Sequence, residues 1–207
     1  MDSRRDDMAD GVPLPAGMVA PLGGRRGARL EPVGIIRGVT ATVADLTHLE
    51  SDPTLWRYTL FPGYHAAPNG ITIPSAPFHD DMWMWAWSLT PGIRPRPYIA
   101  LWFRGSAKST SAEMVTVAVG ALGARPYAIY VCDTQTRADD HVGNVATLLE
   151  SPMIATFYPA LARRRVGKYG ASKGWRRERI RTTSFTVDAL GLDTAARGIK
   201  IDEDRPG

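Results

Sequence analysis

Between Leu101 and Thr110 the chain reads LWFRGSAKST, with Lys108 and Ser109 in the lysine–hydroxyl order of a phosphate-binding loop. The chemistry needs that order. Backbone N–H groups and the positive end of a following helix converge on one anion. The lysine then reaches the β- and γ-phosphates, while the hydroxyl ligates magnesium. The usual spacing places glycines where Trp102 and Ala107 stand. Gly105 keeps one permissive backbone position, and Ala107, with only a methyl group, is the least obstructive substitute before the lysine. The nucleotide-binding set is therefore Gly105, Ser106, Ala107, Lys108, Ser109 and Thr110, with ATP and Mg²⁺ as the implied cofactors and the Ser109 hydroxyl as the metal ligand.

Such a loop works only between a buried strand and the helix it opens. PYIALWF (97–103) is a short apolar run of the kind buried strands show. SAEMVTVAVGALG (111–123) carries apolar residues at helical spacing and ends on glycine. RPYAIYVCDT (125–134) and QTRADDHVGNVATLLES (135–151) predict a second strand and helix. The order predicts an α/β fold, a P-loop NTPase-type βαβ core with a mainly parallel sheet and a right-handed crossover. Upstream, FHDDMWMWAWSL (78–89) follows Pro77 and sets Phe78, Met82, Trp85 and Leu89 on one stripe, which predicts a helix, although the alternation of Trp83, Trp85 and Trp87 would also suit a strand. Its tryptophans serve packing rather than base stacking. Residues 35–75 are broken by SDP, FPG, APNG and IPSAP, which predict short elements and loops.

Nine basic residues against the single acid Glu178 lie between Arg163 and Arg181, with Tyr169 and Trp175 interleaved. The turn chemistry of GASKG predicts a C-terminal β-hairpin there. Its basic face, Arg176 and Arg177 above all, would meet DNA phosphate without regard to sequence, or simply face solvent. The four histidines show no metal-ligand spacing, and Asp139 and Asp140 suit a helix N-terminal turn.

A chain of 207 residues, 44% hydrophobic and 22% charged, suits a globular domain; its net charge of +4 mildly favours an anionic partner. One cysteine, Cys132, excludes an intrachain disulfide framework and fits a reducing cytoplasm. No run approaches a membrane span. Residues 1–30, rich in Gly, Pro, Arg and Asp, read as a disordered tail preceding a domain over 31–207.

RPRPYIALWFRGSAKSTSAEM resembles the ATPase motor of the phage terminase large subunit, which packages viral DNA into capsids. The aromatic helix with Phe78, His79, Trp83 and Trp85, the 127–151 segment and GLDTAARG (191–198) resemble that family in the same order. The resemblance implies that Arg104, four residues before Lys108, joins the nucleotide site and acts with Lys108 as a catalytic group. It further implies ATP-driven DNA translocation, double-stranded viral DNA, portal protein and small terminase subunit as partners, a homo-oligomeric ring, and the cytoplasm of the bacterial host. In that family a strand ending in paired acids follows, so 31–207 reads as an incomplete, N-terminal part of the ATPase domain, binding ATP with little turnover and without the nuclease domain. Within IKIDED (199–204), Asp202 and Glu203 are candidates for those acids, but Lys200 does not suit a central buried strand; Asp188 is weaker, and Arg197 is a candidate nucleotide or neighbour contact. The alternatives are a helicase-like P-loop ATPase and a non-enzymatic nucleic-acid-binding module.

Overall fold

Four of the helices begin where a side chain can accept the backbone N–H groups that the first turn leaves without partners. In the computed structural model, which describes residues 41–67, 69–168, 170 and 174–194, Thr42 and Asp45 cap α1 (Val43–Glu50) reciprocally. Asp52 caps α2 (Pro53–Leu60), Thr134 caps α5 (Gln135–Leu149), and Ser151 caps α6 (Pro152–Phe157). Proline stands at the start of α2 and α6, where its missing N–H costs nothing. A 3₁₀ turn (Pro62–Tyr64), α3 (Pro77–Trp87), α4 (Lys108–Ala121) and α7 (Pro159–Ala162) complete the helical set. The chain divides between Glu31 and Pro32, and every described residue lies in the second part. The tail predicted over 1–30 and the candidates Arg197, Asp202 and Glu203 lie outside the described residues.

The sheet is small and mixed, in the order β1-β4-β3-β2. β1 (Tyr127–Cys132) runs parallel to β4 (Thr186–Gly191), with Tyr127 opposite Thr186 and Cys132 opposite Gly191. β4 pairs antiparallel with β3 (Arg179–Arg181), and β3 with β2 (Trp175–Arg176). The α/β class and the C-terminal hairpin therefore match the sequence reading; a mainly parallel sheet does not, since two of the three pairings are antiparallel. The hairpin turns at Arg177-Glu178 rather than within GASKG, whose residues 171–173 are outside the described set.

The larger correction concerns 97–103. This segment joins no ladder. Ile99, Leu101 and Phe103 are 75%, 92% and 69% exposed, whereas the alternate residues Tyr98 and Trp102 pack against the core. An apolar run reads as a buried strand only if both faces are covered. Here one face is covered, by α3: Trp85 meets Tyr98 at 5.6 Å, Phe78 meets Trp102 at 5.0 Å, and the Tyr98 hydroxyl donates to the Phe78 carbonyl.

The core gathers Trp56, Trp83, Met114, Val117, Val142, Leu149, Ile154, Phe185 and Val187. Trp56 lies edge-on to Phe61 and Trp87 and donates its indole N–H to the Tyr158 hydroxyl at 2.8 Å. With Trp83 also buried, the tryptophans of α3 serve packing. Gly120 on α4 is a close-approach position, since a Cβ there would lie 2.6 Å from the Phe185 ring.

Candidate phosphate-binding loop

Nothing caps α4. Its N-cap residue, Ala107, makes no side-chain hydrogen bond, and the first turn contains no acid. Among the described residues, the N–H groups of Ala107, Lys108, Ser109 and Thr110 make no hydrogen bond, whereas Ser111 N–H closes the first helical bond to the Ala107 carbonyl at 2.9 Å. A lysine at this position places like charge on the positive helix end, an arrangement that an anion would offset.

The backbone before the helix is built for concavity. Gly105 has φ +84, and Ala107 has φ 57 and ψ 27, the left-handed region that a Cβ disfavours. A left-handed residue followed by a right-handed one turns successive N–H groups toward a common point, the arrangement of anion-binding nests. Ala107 is the one residue other than glycine with positive φ among those described. Its strain persists because the neighbouring residues are fixed. Ser106 is buried, its hydroxyl donates to the Phe103 carbonyl at 2.7 Å, and its own carbonyl lies 2.8 Å from His79 Nε2.

His79 is placed for that contact by its own helix. It is the third residue of α3, and its Nδ1 accepts the Ala76 N–H at 3.3 Å, so a neutral ring carries its proton on Nε2 and donates it to the loop. Trp102 lies edge-on to the His79 ring at 5.0 Å and closes the other side. The aromatic helix is thus the brace of the loop. Spacing alone could not reveal this, because 27 residues separate His79 from Ser106.

Lys108, Arg104 and Ser109 are exposed, and Thr110 is half-buried. The loop residues foreseen from the sequence are therefore together on one turn. Arg176 and Arg177 belong to the hairpin instead. Arg177 pairs with Asp140 of α5 at 2.5 Å, while Arg176 lies a loose 3.8 Å from Glu178. Asp139 accepts from Gln135 at 2.7 Å, and Asp193 accepts the Gln135 N–H at 2.9 Å, putting carboxylates at the start of α5. Asp188 is buried and ion-paired with Arg179, and it accepts the Tyr127 hydroxyl at 2.6 Å. Burial and that bond push the Tyr127 phenol up to about 12. Asp188 is thereby committed to the sheet rather than offered to a metal.

Among the described residues, no group of three or more His, Cys, Asp or Glu could hold a metal ion. Magnesium does not need one: it commonly keeps waters and substrate phosphates with few protein ligands. One exposed hydroxyl, Ser109, fits that mode. None of the described helices is long and apolar enough to cross a membrane.

Behind the loop, a cavity of about 350 Å³ reaches from Ala107 and Thr110 to Arg57, His65, Ile73 and Met114. Arg57 is 2% exposed and pairs with Asp80 at 2.5 Å. Sequence reasoning missed both Arg57 and His65, which lie in a stretch legible only as loops and short elements. Comparison of the chain with known protein families, with curated proteins and with solved structures finds no match.

Proposed function

We propose that residues 104–110 bind the phosphates of ATP, as the nucleotide site of a motor ATPase of the terminase kind. Because 97–103 forms no buried strand before the loop, the reading rests instead on the pair of left-handed residues, Gly105 and Ala107, leading into an uncapped 14-residue helix whose first N–H groups are uncommitted. In this reading the amides of Ala107, Lys108 and Ser109 surround the phosphate chain. Lys108 neutralises its terminal charge, and Arg104, four residues earlier, joins it. Magnesium, where held here, would supply neutralisation of the phosphate charge. Ser109 would be its ligand from this chain.

Phosphoryl transfer also needs an acid to hold the metal and aim water. Asp188 is tied to Arg179, and Asp202 and Glu203 lie outside the described residues, so the activity proposed for the described residues is binding and positioning. Translocation of double-stranded viral DNA, a portal and a small-subunit partner, and ring assembly enter as proposals on the resemblance of the 78–207 motifs. Isothermal titration with ATP should show micromolar-range binding, roughly 8 kcal/mol, lost in Lys108→Ala. Equal affinity of the two proteins would remove the reading.

A non-enzymatic nucleic-acid-binding module remains the second reading, and one observation favours it. The Arg164 guanidinium, itself paired with Glu150, lies 4.5 Å over the Trp175 ring beside exposed Arg176, an aromatic surface with a cation at its edge that suits a nucleic acid. DNA binding without any ATP binding would select it.

A further inference from the structure

We propose that the cavity behind the loop seats the base of the nucleoside triphosphate, with Arg57 and His65 meeting the hydrogen-bonding edge of the ring. The inference rests on the phosphate reading of residues 104–110 and adds which part of the ligand is recognised, and by what.

Adjacency comes first. Ala107 and Thr110 line the cavity and also belong to the loop. A ligand whose phosphates lie on the amides of 107–109 therefore has its remaining body directed along the Thr110–Met114 side of α4. The volume falls within the roughly 300–1,000 Å³ of small-molecule sites.

The lining then selects the chemistry. Arg57 Nε and His65 Nε2 are buried atoms without a hydrogen-bond partner, and both side chains line this cavity. Buried polar atoms are rarely left so, and each such exception asks for a partner. Arg57 is not poised for a further anion, because Asp80 already neutralises it through Nη2 at 2.5 Å. The Nε N–H is the buried donor of this guanidinium left without a partner, and it suits a neutral acceptor. His65 is held flat against Tyr58, rings 4.2 Å apart and 17° from parallel. The Tyr58 hydroxyl in turn donates to the Ile73 carbonyl at 2.9 Å. Burial, then the nearby Arg57 charge, depresses the His65 pKa to about 4. The imidazole is thus neutral at neutral pH, and its Nε2 gives or takes one hydrogen bond according to tautomer. Ile73, Pro74 and Met114 supply apolar walls. One fixed donor, one adaptable nitrogen and apolar walls suit a planar heterocycle with ring nitrogens.

Titration calorimetry with three probes tests this: inorganic tripolyphosphate, ATP and adenosine, each against wild type, Lys108→Ala and His65→Phe. Phenylalanine keeps an aromatic ring that can stack on Tyr58 and removes both ring nitrogens, and thermal melts establish that the variant with its larger ring is folded. ATP should bind wild type at least about tenfold more tightly than tripolyphosphate. His65→Phe should lose about five- to tenfold toward ATP, the effect of one hydrogen bond, and nothing toward tripolyphosphate. Equal affinities of wild type for ATP and tripolyphosphate would overturn the base site while leaving the phosphate loop standing. So would an unchanged ATP affinity in His65→Phe. Adenosine binding that His65→Phe weakens, with no tripolyphosphate binding at all, would uphold the cavity and remove the loop. No binding of any probe removes both.

Discussion

Replacing Ala107 by glycine should stabilise this protein, because glycine accepts left-handed backbone and is favoured over alanine at a helix N-cap. Ala107 sits at φ 57 and ψ 27, and an L-residue in that region costs about 1–2 kcal/mol relative to right-handed backbone. Glycine removes that cost but brings greater unfolded-state freedom, about 0.5–1 kcal/mol. The difference is a gain of about 0–1.5 kcal/mol, and for a chain of this size 1 kcal/mol moves Tm by about 2–4 °C. Ala107→Gly should therefore raise Tm by about 2 °C and leave ATP affinity equal or improved. Ala107→Val is the opposing control, because a β-branched residue is a genuine outlier at positive φ. It should lower Tm by several degrees and abolish binding as the amides of 107–109 turn away. Differential scanning calorimetry paired with ATP titration reads both. A lowered Tm in Ala107→Gly, or a valine variant that melts and binds like wild type, would refute the claim that the loop depends on left-handed backbone at 107.

Three further outcomes follow from other parts of the molecule. The His65 pKa of about 4 lies below the ordinary value near 6.5, so the folded state binds fewer protons than the unfolded chain between those values. Stability should therefore fall as pH drops from about 6.5 to 4, and urea midpoints of His65→Phe should fall less over the same window; parallel curves would contradict it. Gly120→Ala drives a methyl group to within 2.6 Å of the Phe185 ring and should cost about 1–3 kcal/mol by overpacking, seen as a Tm drop, whereas an unchanged Tm would mean the helix and ring shift freely. On the hairpin, Arg176→Glu should weaken binding to all duplex DNA sequences alike and flatten its salt dependence, while Arg177→Ala should do less because Asp140 already holds Arg177; an unchanged salt slope in Arg176→Glu returns the hairpin to a solvated surface.

Much of the scaffold was legible because local signals decided it. Pro77 and the apolar stripe marked α3, and Gly123 marked the end of the segment containing α4. The loop residues 104–110 were legible as a set because they are consecutive. What escaped was whatever depends on distant pairing. PYIALWF carries the composition of a strand, but the edge that would complete a ladder is not in its own sequence, and its exposed Leu101 and Phe103 show the difference. β4 was read only as the weaker candidate for an acid-bearing strand, because TVDALG buries a charge, Asp188, which Arg179 opposite it in the antiparallel pair makes tolerable. Likewise, His79, Arg57 and His65 acquire meaning through the Ser106 carbonyl and a cavity wall that lie tens of residues away.

The phosphate site itself is tested most directly by the amide resonances of the loop. In a ¹⁵N-labelled sample titrated with ATP, the backbone signals of Ala107, Lys108 and Ser109 should shift strongly and saturably, because these are the uncommitted N–H groups at the start of α4. Those shifts should vanish in Lys108→Ala. Shifts confined to the hairpin around Arg176, with 105–109 unmoved, would contradict the account.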